Sequence, residues 1–362
     1  MIVSVSTVKD SAANVARFCR RNLANGVDHL VVFTEDTGAE AEAVLDEHPA
    51  VTHVRTGGDW WPHRPDGLNQ RQQHNANLAR VLLAPFGWAE WLVHVDGDEV
   101  ALLDQSVVDG LPADCETFRM PPWEAVSREA WPEGEVTHFK RLLAKRELSL
   151  LLALEVIPEP TNKAYFHGHV QGKVGVRLRT DQRLGIHHAT DGGGASRAAS
   201  YDGLAVLHHD SATAEEFVRK FRTLTASGSR VVYRRDKVPV LNAMRHLVTM
   251  GLDEATTDRY LRRIYERTTR EDFDTLLELG LLQEVRADQG THRPEPAPPA
   301  DLAAFEALLA AAAPLPRRPL NVQHPSGGLD VLRSALDATG VPPGAAAALL
   351  DAAAGAGTGA VR

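Results

Sequence analysis

"WLVHVDGDEVALL", residues 91–103, reads as an apolar strand running into three carboxylates, Asp96, Asp98 and Glu99, with Gly97 between the first two. Carboxylates at the end of a buried strand are costly unless they are paired or hold a cation. Side chains two apart in extended chain point the same way, so Asp96 and Asp98 can reach one ion, and Gly97 lets backbone and ligand come close. Hard carboxylate oxygens suit Mg²⁺ or Mn²⁺, which keep open positions for phosphate oxygens. The same letters also fit a solvated acidic turn, so the neighbouring elements have to decide.

Upstream, residues 2–8 cluster β-branched side chains as a strand does. "SAANVARFCRRNLANGV" then puts Val15, Phe18, Cys19 and Leu23 on one helical face, with Gly26 as a stop. "DHLVVFT" is a second strand, "GAEAEAVLDEHP" a helix closed by Pro49, and "VTHVRT" a third strand. After a loop rich in Trp, Pro and Gly, "LNQRQQHNANLARVLLAPFG" reads as a helix that leads into the strand at 91. This alternation predicts an α/β fold with a mostly parallel, doubly wound sheet. The acidic cluster then lies at the carboxyl end of a strand, the edge where open α/β sheets bind ligands.

Downstream, residues 113–210 look mixed, with strands expected at "TFRMPPW", "KAYFHGHV", "KVGVRLR" and "AVLHHD". From Thr213 to about Val285 the pattern is helical, "HRPEPAPPA" reads as a linker, and "DLAAFEALLAAAA" allows a short helix. The terminal "AAAGAGTGAVR" is expected to be disordered. The expected partition is a catalytic domain over 1–212, a helical extension over 213–286, and a Pro/Ala-rich linker and partly disordered tail over 287–362.

Bulk properties narrow the function. The chain has 362 residues, is 43% hydrophobic and 24% charged, and carries a formal net charge of −9. No global basic field is available to hold nucleic acid. Cys19 and Cys115 are the only cysteines, which gives no disulfide framework, and the first residues lack the pattern of a secretory leader. The expected setting is the cytoplasm, with no integral membrane segment.

The order of segments is similar to that of GT-A fold glycosyltransferases of the family 2-like and family 92-like group. The matching segments are Lys9-Asp10 after the first strand, "NGVDHLVVF" into the second, the Gln/Asn-rich "RQQHNANLAR", and "WLVHVDGDE". "HGHVQGKVGVR" with "LGIHHA", and "LAVLHHDSATAEEFVRKF", follow in the same order, so the likeness covers residues 1 to about 225. The expected Asp-x-x-Ser-x-Asp stretch is replaced by "VVFTEDTGAE", a departure at the nucleotide base contacts.

The resemblance implies transfer of a sugar from a nucleotide-diphosphate donor, with UDP-linked donors favoured, to a small-molecule or glycan acceptor. It implies a bound Mn²⁺ or Mg²⁺ that neutralises the leaving diphosphate. Asp98 would be the most direct metal ligand. Asp96 would sit nearer the ribose or reach the metal through water, and His208 or His209 would complete the site. Thr7, Lys9, Glu35 and Asp36 at the strand ends, and Arg71, His74 and Asn75 on the following helix, would meet the nucleotide. Lys173 and Arg177, at i and i+4 on one strand face, are spaced like a phosphate clamp.

An inverting transfer needs a base. Glu124 in "PPWEAVSREAWPEGE" is the candidate, with Glu129, His167 and His169 as others. Trp60 and Trp61 are either a lid over the donor or core filler. The helical region could be an acceptor platform, a dimer surface or plain packing. A metal-dependent nucleotidyltransferase, an Asp/His metallohydrolase and a non-catalytic sugar-binding scaffold are the competing readings. The first lacks its Gly-rich loop in "STVKDSAANV", and the second lacks a tight ligand signature such as H-E-x-x-H.

Overall fold

A computed structural model describes residues 1–191, 194–226, 238–317, 320 and 328–353. In chain order the elements are β1 (Ile2–Val8), α1 (Ala12–Ala24), β2 (His29–Thr34), α2 (Ala39–Asp46), β3 (Val51–Arg55), α3 (Leu68–Leu83), β4 (Trp91–His94), β5 (Glu99–Leu103), α4 (Gln105–Asp109) and β6 (Thr117–Met120). Then come β7 (Pro122–Ala125), β8 (His138–Lys140), α5 (Lys145–Ala153), α6 (Asn162–Tyr165), β9 (Lys173–Arg177), β10 (Arg183–Leu184), β11 (Ala189–Thr190), β12 (Ala199–Ser200) and β13 (Leu204–His208). The last part holds α7 (Ala214–Ala226), α8 (Val238–Thr249), α9 (Glu254–Thr268), α10 (Phe273–Glu278), β14 (Leu282–Glu284), α11 (Pro299–Ala312), α12 (Gly328–Thr339) and α13 (Pro343–Ala353).

The chain forms two compact units, each discontinuous in sequence. One comprises 1–121, 171–206 and 287–362; the other comprises 122–170 and 207–286. The sequence reading kept 1–212 together. Its periodicities mark elements, but they do not show which elements share a core.

The first unit is a seven-stranded sheet in the order β12-β6-β9-β4-β1-β2-β3. β1 to β4 run parallel, and β9 lies antiparallel between β4 and β6. The expected mostly parallel, doubly wound α/β sheet is therefore present. One face buries Val3, Val5, Val31 and Phe33 under α3, and the other buries Ile2, Leu30 and Val32 under Val15, Phe18 and Leu23 of α1. Strand order reverses between β1 and β4, because β2 and β3 lie on one side of β1 and β4 on the other.

The C-terminal segment departs from the linker-and-tail expectation. Phe305, Leu308 and Leu309 of α11 and Leu332 and Leu336 of α12 are buried in the same core as α3, with Phe305 edge-on to Phe86 at 6.4 Å. An Ala/Leu-rich segment with so few large side chains still makes a good helix and can close-pack. Residues 354–362, the end of the tail expected to be disordered, lie outside the described residues. Trp60 and Trp61 are core filler. Both are buried, Trp60 packs on Phe33 at 5.6 Å, and the Arg317 guanidinium covers the Trp60 ring at 4.8 Å.

The second unit has an antiparallel sheet in which β8 pairs with both β7 and β14. Two helical clusters complete it. One gathers Leu143, Leu148, Leu151, Phe166 and Leu276; the other gathers Phe217, Leu241, Leu261 and Tyr265. Two local expectations are corrected here. "KAYFHGHV" opens as the short helix α6 rather than a strand, since the Thr161 side chain caps it by accepting from Ala164 N and Asn162 ties its start to Leu143. The helical pattern at "DFDTLLELGLLQEV" breaks at Gly280, whose φ of 67° lets the chain turn into β14.

Candidate functional site

The carboxyl ends of β1, β2 and β4 share one edge of the first unit, and α3 binds all three. Arg71 grips Glu35, just past β2, in a bidentate pair with Nε–Oε1 at 2.5 Å and Nη2–Oε2 at 2.8 Å. Gln72 Nε2 donates to Asp96 Oδ1 beyond β4 at 2.6 Å. Asn75 Nδ2 donates to Thr7 Oγ1 at the end of β1 at 3.0 Å. Positions 71, 72 and 75 lie on adjoining stripes of a helix, which is why one helix reaches three strands. Among the described residues, Asn75 Oδ1 and His74 Nδ1 are buried with no hydrogen-bond partner.

Lys9 and Asp36 stand at the rim of this edge, both exposed and 3.8 Å apart, with Asp36 in the left-handed region at φ 49°. Arg71 also donates to the Pro65 and Asp66 carbonyls, each at 2.9 Å, and Arg64 reaches Glu35 at 3.4 Å. The residues that the resemblance tied to the nucleotide, Thr7, Lys9, Glu35, Asp36, Arg71, His74 and Asn75, thus occupy one strand edge and the helix above it. Gln72 was missed, because a glutamine in a polar helix carries no signal until the strand opposite it is known.

The acidic turn is built around a lysine. Lys173 at the start of β9 is fully buried, with Nζ 2.5 Å from Asp96 Oδ2 and 3.2 Å from Glu99 Oε2. Glu99 Oε2 also accepts from Asp96 N at 2.8 Å, and the Glu99 carbonyl accepts from Asn22 of α1 at 3.2 Å. Burial raises the Asp96 pKa, but Lys173 beside it outweighs that and holds the carboxyl below its ordinary value. Lys173 is correspondingly raised, its two carboxylates overcoming the cost of burial. His94 Nδ1 lies 3.5 Å from Lys173 Nζ, and burial, with that ammonium, lowers the imidazole to about 4. Asp98, on the turn itself, is exposed.

Lys173 and Arg177 are not assembled into one clamp. They sit at opposite ends of β9, where antiparallel pairing sets Lys173 beside the acidic turn and Arg177 opposite Trp91. Arg177 covers the Trp91 ring at 4.4 Å, pairs with Glu90, and donates to the Cys115 carbonyl at 2.9 Å.

The second unit carries its own buried polar network. Glu124 on β7 is fully buried, its Oε1 2.8 Å from Lys140 Nζ and accepting from His167 N at 2.7 Å. Its Oε2 accepts from Gly168 N at 2.5 Å and lies 3.7 Å from His208 Nδ1. Lys140 also pairs with Glu271 and donates to the Tyr165 carbonyl at 2.7 Å. His167 Nε2 is 3.4 Å from Glu271 Oε1, and the His169 and His208 rings stack at 5.0 Å. Burial opposes the charge on Glu124, but Lys140 and the neighbouring His208 hold its pKa well below the usual carboxylate range.

That environment corrects the base expected at Glu124. A carboxylate with both oxygens engaged, no exposure and a strongly favoured charged form is a poor proton acceptor. Glu124 instead ties down the backbone at 167–168. The two histidines of the doublet have different neighbours: His208 faces Glu124, while His209 sits edge-on to Phe139 at 5.4 Å. Glu129 is half-exposed and meets Arg262 at 3.3 Å. Lys140, Glu271 and Asp210, the last paired with Lys220, were not anticipated. Their strands and loops show no spacing that brings them together.

No protein-family model and no curated protein matches the chain. Among solved structures, HddC from Yersinia pseudotuberculosis is 9% identical over 60% of this chain and 96% of its own, with a TM-score of 0.29. A putative glucose-1-phosphate thymidylyltransferase from Bacillus anthracis, in complex with sucrose, is 6% identical over 49% of this chain and 72% of its own, with a TM-score of 0.26. A mycobacterial protein is 14% identical over 64% and 74%, with a TM-score of 0.27. Likenesses of that size bear no weight below, where the reading rests on side chains. Among the described residues, no helix is long and apolar enough to cross a membrane.

Proposed function

We propose that the chain binds a nucleotide-linked sugar at the carboxyl edge of β1, β2 and β4 and transfers the sugar to an acceptor hydroxyl or amine. The observation that carries this reading is the α3 bracket, which fixes Glu35, Asp96 and Thr7 along one polar edge where the strand order reverses. Open α/β sheets bind nucleotides in that crevice. Lys9 and Asp36 at the rim suit diphosphate and ribose hydroxyls, and the buried Asn75 Oδ1 suits a donor N–H or O–H.

A divalent ion fits this edge in a restricted way. Both Asp96 oxygens are engaged and Glu99 pairs with the buried Lys173; Asp98 is exposed at the surface of the turn, where a donor's phosphates can reach it. Mg²⁺ is commonly held by one or two carboxylates plus substrate phosphates, so Asp98 is the residue that would hold it. When bound, the ion neutralises the charge that develops on the leaving diphosphate. Lys173 keeps Asp96 charged and fixed, so the turn presents one geometry to the donor.

Turnover tests the reading directly. The protein is incubated with UDP-, GDP- and dTDP-sugars and a panel of hydroxyl and amine acceptors, with Mn²⁺ or with a chelator. Metal-dependent release of free nucleoside diphosphate supports sugar transfer. Pyrophosphate exchange without nucleoside diphosphate release supports nucleotidyl transfer instead.

A further inference from the structure

Within the second unit, α8, α9 and the connection between them form an open cavity of about 680 Å³, lined by Leu247, Met250, Leu252, Tyr260 and Ile264. That volume is in the range of small-molecule sites, about 300–1,000 Å³. Met250 and Leu252, in the connection between the helices, and Tyr260 on α9 are large side chains left exposed here. Leu247 and Ile264 beside them are partly buried against the Leu241, Leu261 and Tyr265 core. Gly251, at φ 74°, makes the turn that holds the two helices apart.

The rim is cationic. Arg263 and Arg267, at i and i+4 on α9, line the cavity together with His246 of α8, and among the described residues no acidic side chain lines it. Arg222 and Arg262, on other faces, are matched with Asp258 and Glu129. An apolar trough ending in two guanidiniums is complementary to a molecule with an apolar chain and an anionic head. A second copy docked by the same face would bring two more arginines to this rim, which like-charge repulsion disfavours.

We propose that the α8–α9 cavity binds a single-chain amphiphile with an anionic head, its chain along Leu247, Met250 and Ile264 and its head on Arg263 and Arg267. The site stands independently of the donor-edge reading. The occupant is one molecule taken from solution, not a bilayer surface.

Calorimetry on the full chain with dodecyl phosphate below its micelle concentration tests this. Dodecanol, inorganic phosphate, dodecyltrimethylammonium and phosphatidylglycerol vesicles serve as separate arms. The expected result is binding at one site per chain, with dodecyl phosphate about tenfold or more tighter than the other three small probes. Arg263→Ala/Arg267→Ala is expected to lose about tenfold in affinity, with unchanged circular dichroism and thermal midpoint. Ile264→Ala, a milder change than a charge in the trough, is expected to weaken the chain arm selectively. No binding of dodecyl phosphate, equal binding of dodecanol, or binding to vesicles alone would overturn the proposal. So would a concentration-dependent dimer abolished by Met250→Asp, which would assign the face to a second copy.

Discussion

Lys173 Nζ lies 2.5 Å from Asp96 Oδ2, so the acidic turn after β4 is answered from within the first unit by a buried lysine. The cluster that suggested a metal carries its own cation, and the carboxylate left at the surface is Asp98.

Removing that cation should be expensive. Lys173→Met leaves the buried Glu99 and the engaged Asp96 uncompensated, and breaking such a pair costs about 3–5 kcal/mol. Urea unfolding should show a loss of that size. Arg177→Ala, at the other end of the same strand and partly exposed, should lose only about 1 kcal/mol. Equal losses at the two positions would contradict the structural assignment of β9.

The Glu35–Arg71 fork makes a second expectation. Arg71→Lys keeps the charge but loses the two parallel bonds, because an ammonium cannot reproduce the planar fork. A destabilisation of about 1–3 kcal/mol is expected, with weaker nucleotide binding, and Arg71→Ala should be worse on both measures. Unchanged nucleotide affinity in Arg71→Lys would remove this edge from the donor site.

Gly168 tests the second unit. A Cβ there would lie 2.4 Å from His208 Cε1 and 2.8 Å from Glu124 Oε2, so Gly168→Ala must displace the His208 ring or the carboxylate. Overpacking of this kind costs about 1–3 kcal/mol. The His208 imidazole resonances should shift while those of His29, in the other unit, stay in place.

His29 and His94 set an acid limit. Burial lowers each to about 4, below the 6.5 of an ordinary imidazole. Between those values the unfolded chain binds more protons than the native one, so native stability rises with pH. It is complete above 6.5 and falls away as pH drops towards 4, by up to about 1.4 kcal/mol per pH unit for each histidine. His29→Gln, which can keep a bond to Thr52, should reduce the slope by about one proton. Denaturant midpoints across pH 4–7 measure it, and an unchanged slope would mean that His29 takes up its proton in the native state.

What was legible in the sequence followed the reach of its signals. β1 to β4 and the helices between them rest on local periodicity and turn residues, and they stand where the letters put them. The strand edge gathers the expected Thr7, Glu35, Arg71 and Asn75 because topology alone brings carboxyl ends together. Partners that depend on antiparallel register were not legible: Lys173 at Asp96, Arg177 at Trp91, and Lys140 at Glu124. Each joins residues of different segments, from 16 to 86 positions apart, and a spacing of i to i+4 on one strand says nothing about which strand lies opposite. The tail was misread for another reason. An Ala-rich stretch resembles a linker in composition, yet Phe305, Val331 and five leucines dock it on the core.

The central claim is that donor binding depends on the acidic turn through Asp98. Calorimetric titration of the wild-type protein and of Asp98→Asn with UDP, GDP and dTDP, each with and without Mn²⁺, tests it most directly. The expected result is Mn²⁺-dependent binding of one diphosphate by the wild type. Asp98→Asn should lose it by about a hundredfold or more with an unchanged thermal midpoint. Equal binding by the two proteins, or binding of no diphosphate under either condition, would contradict the account.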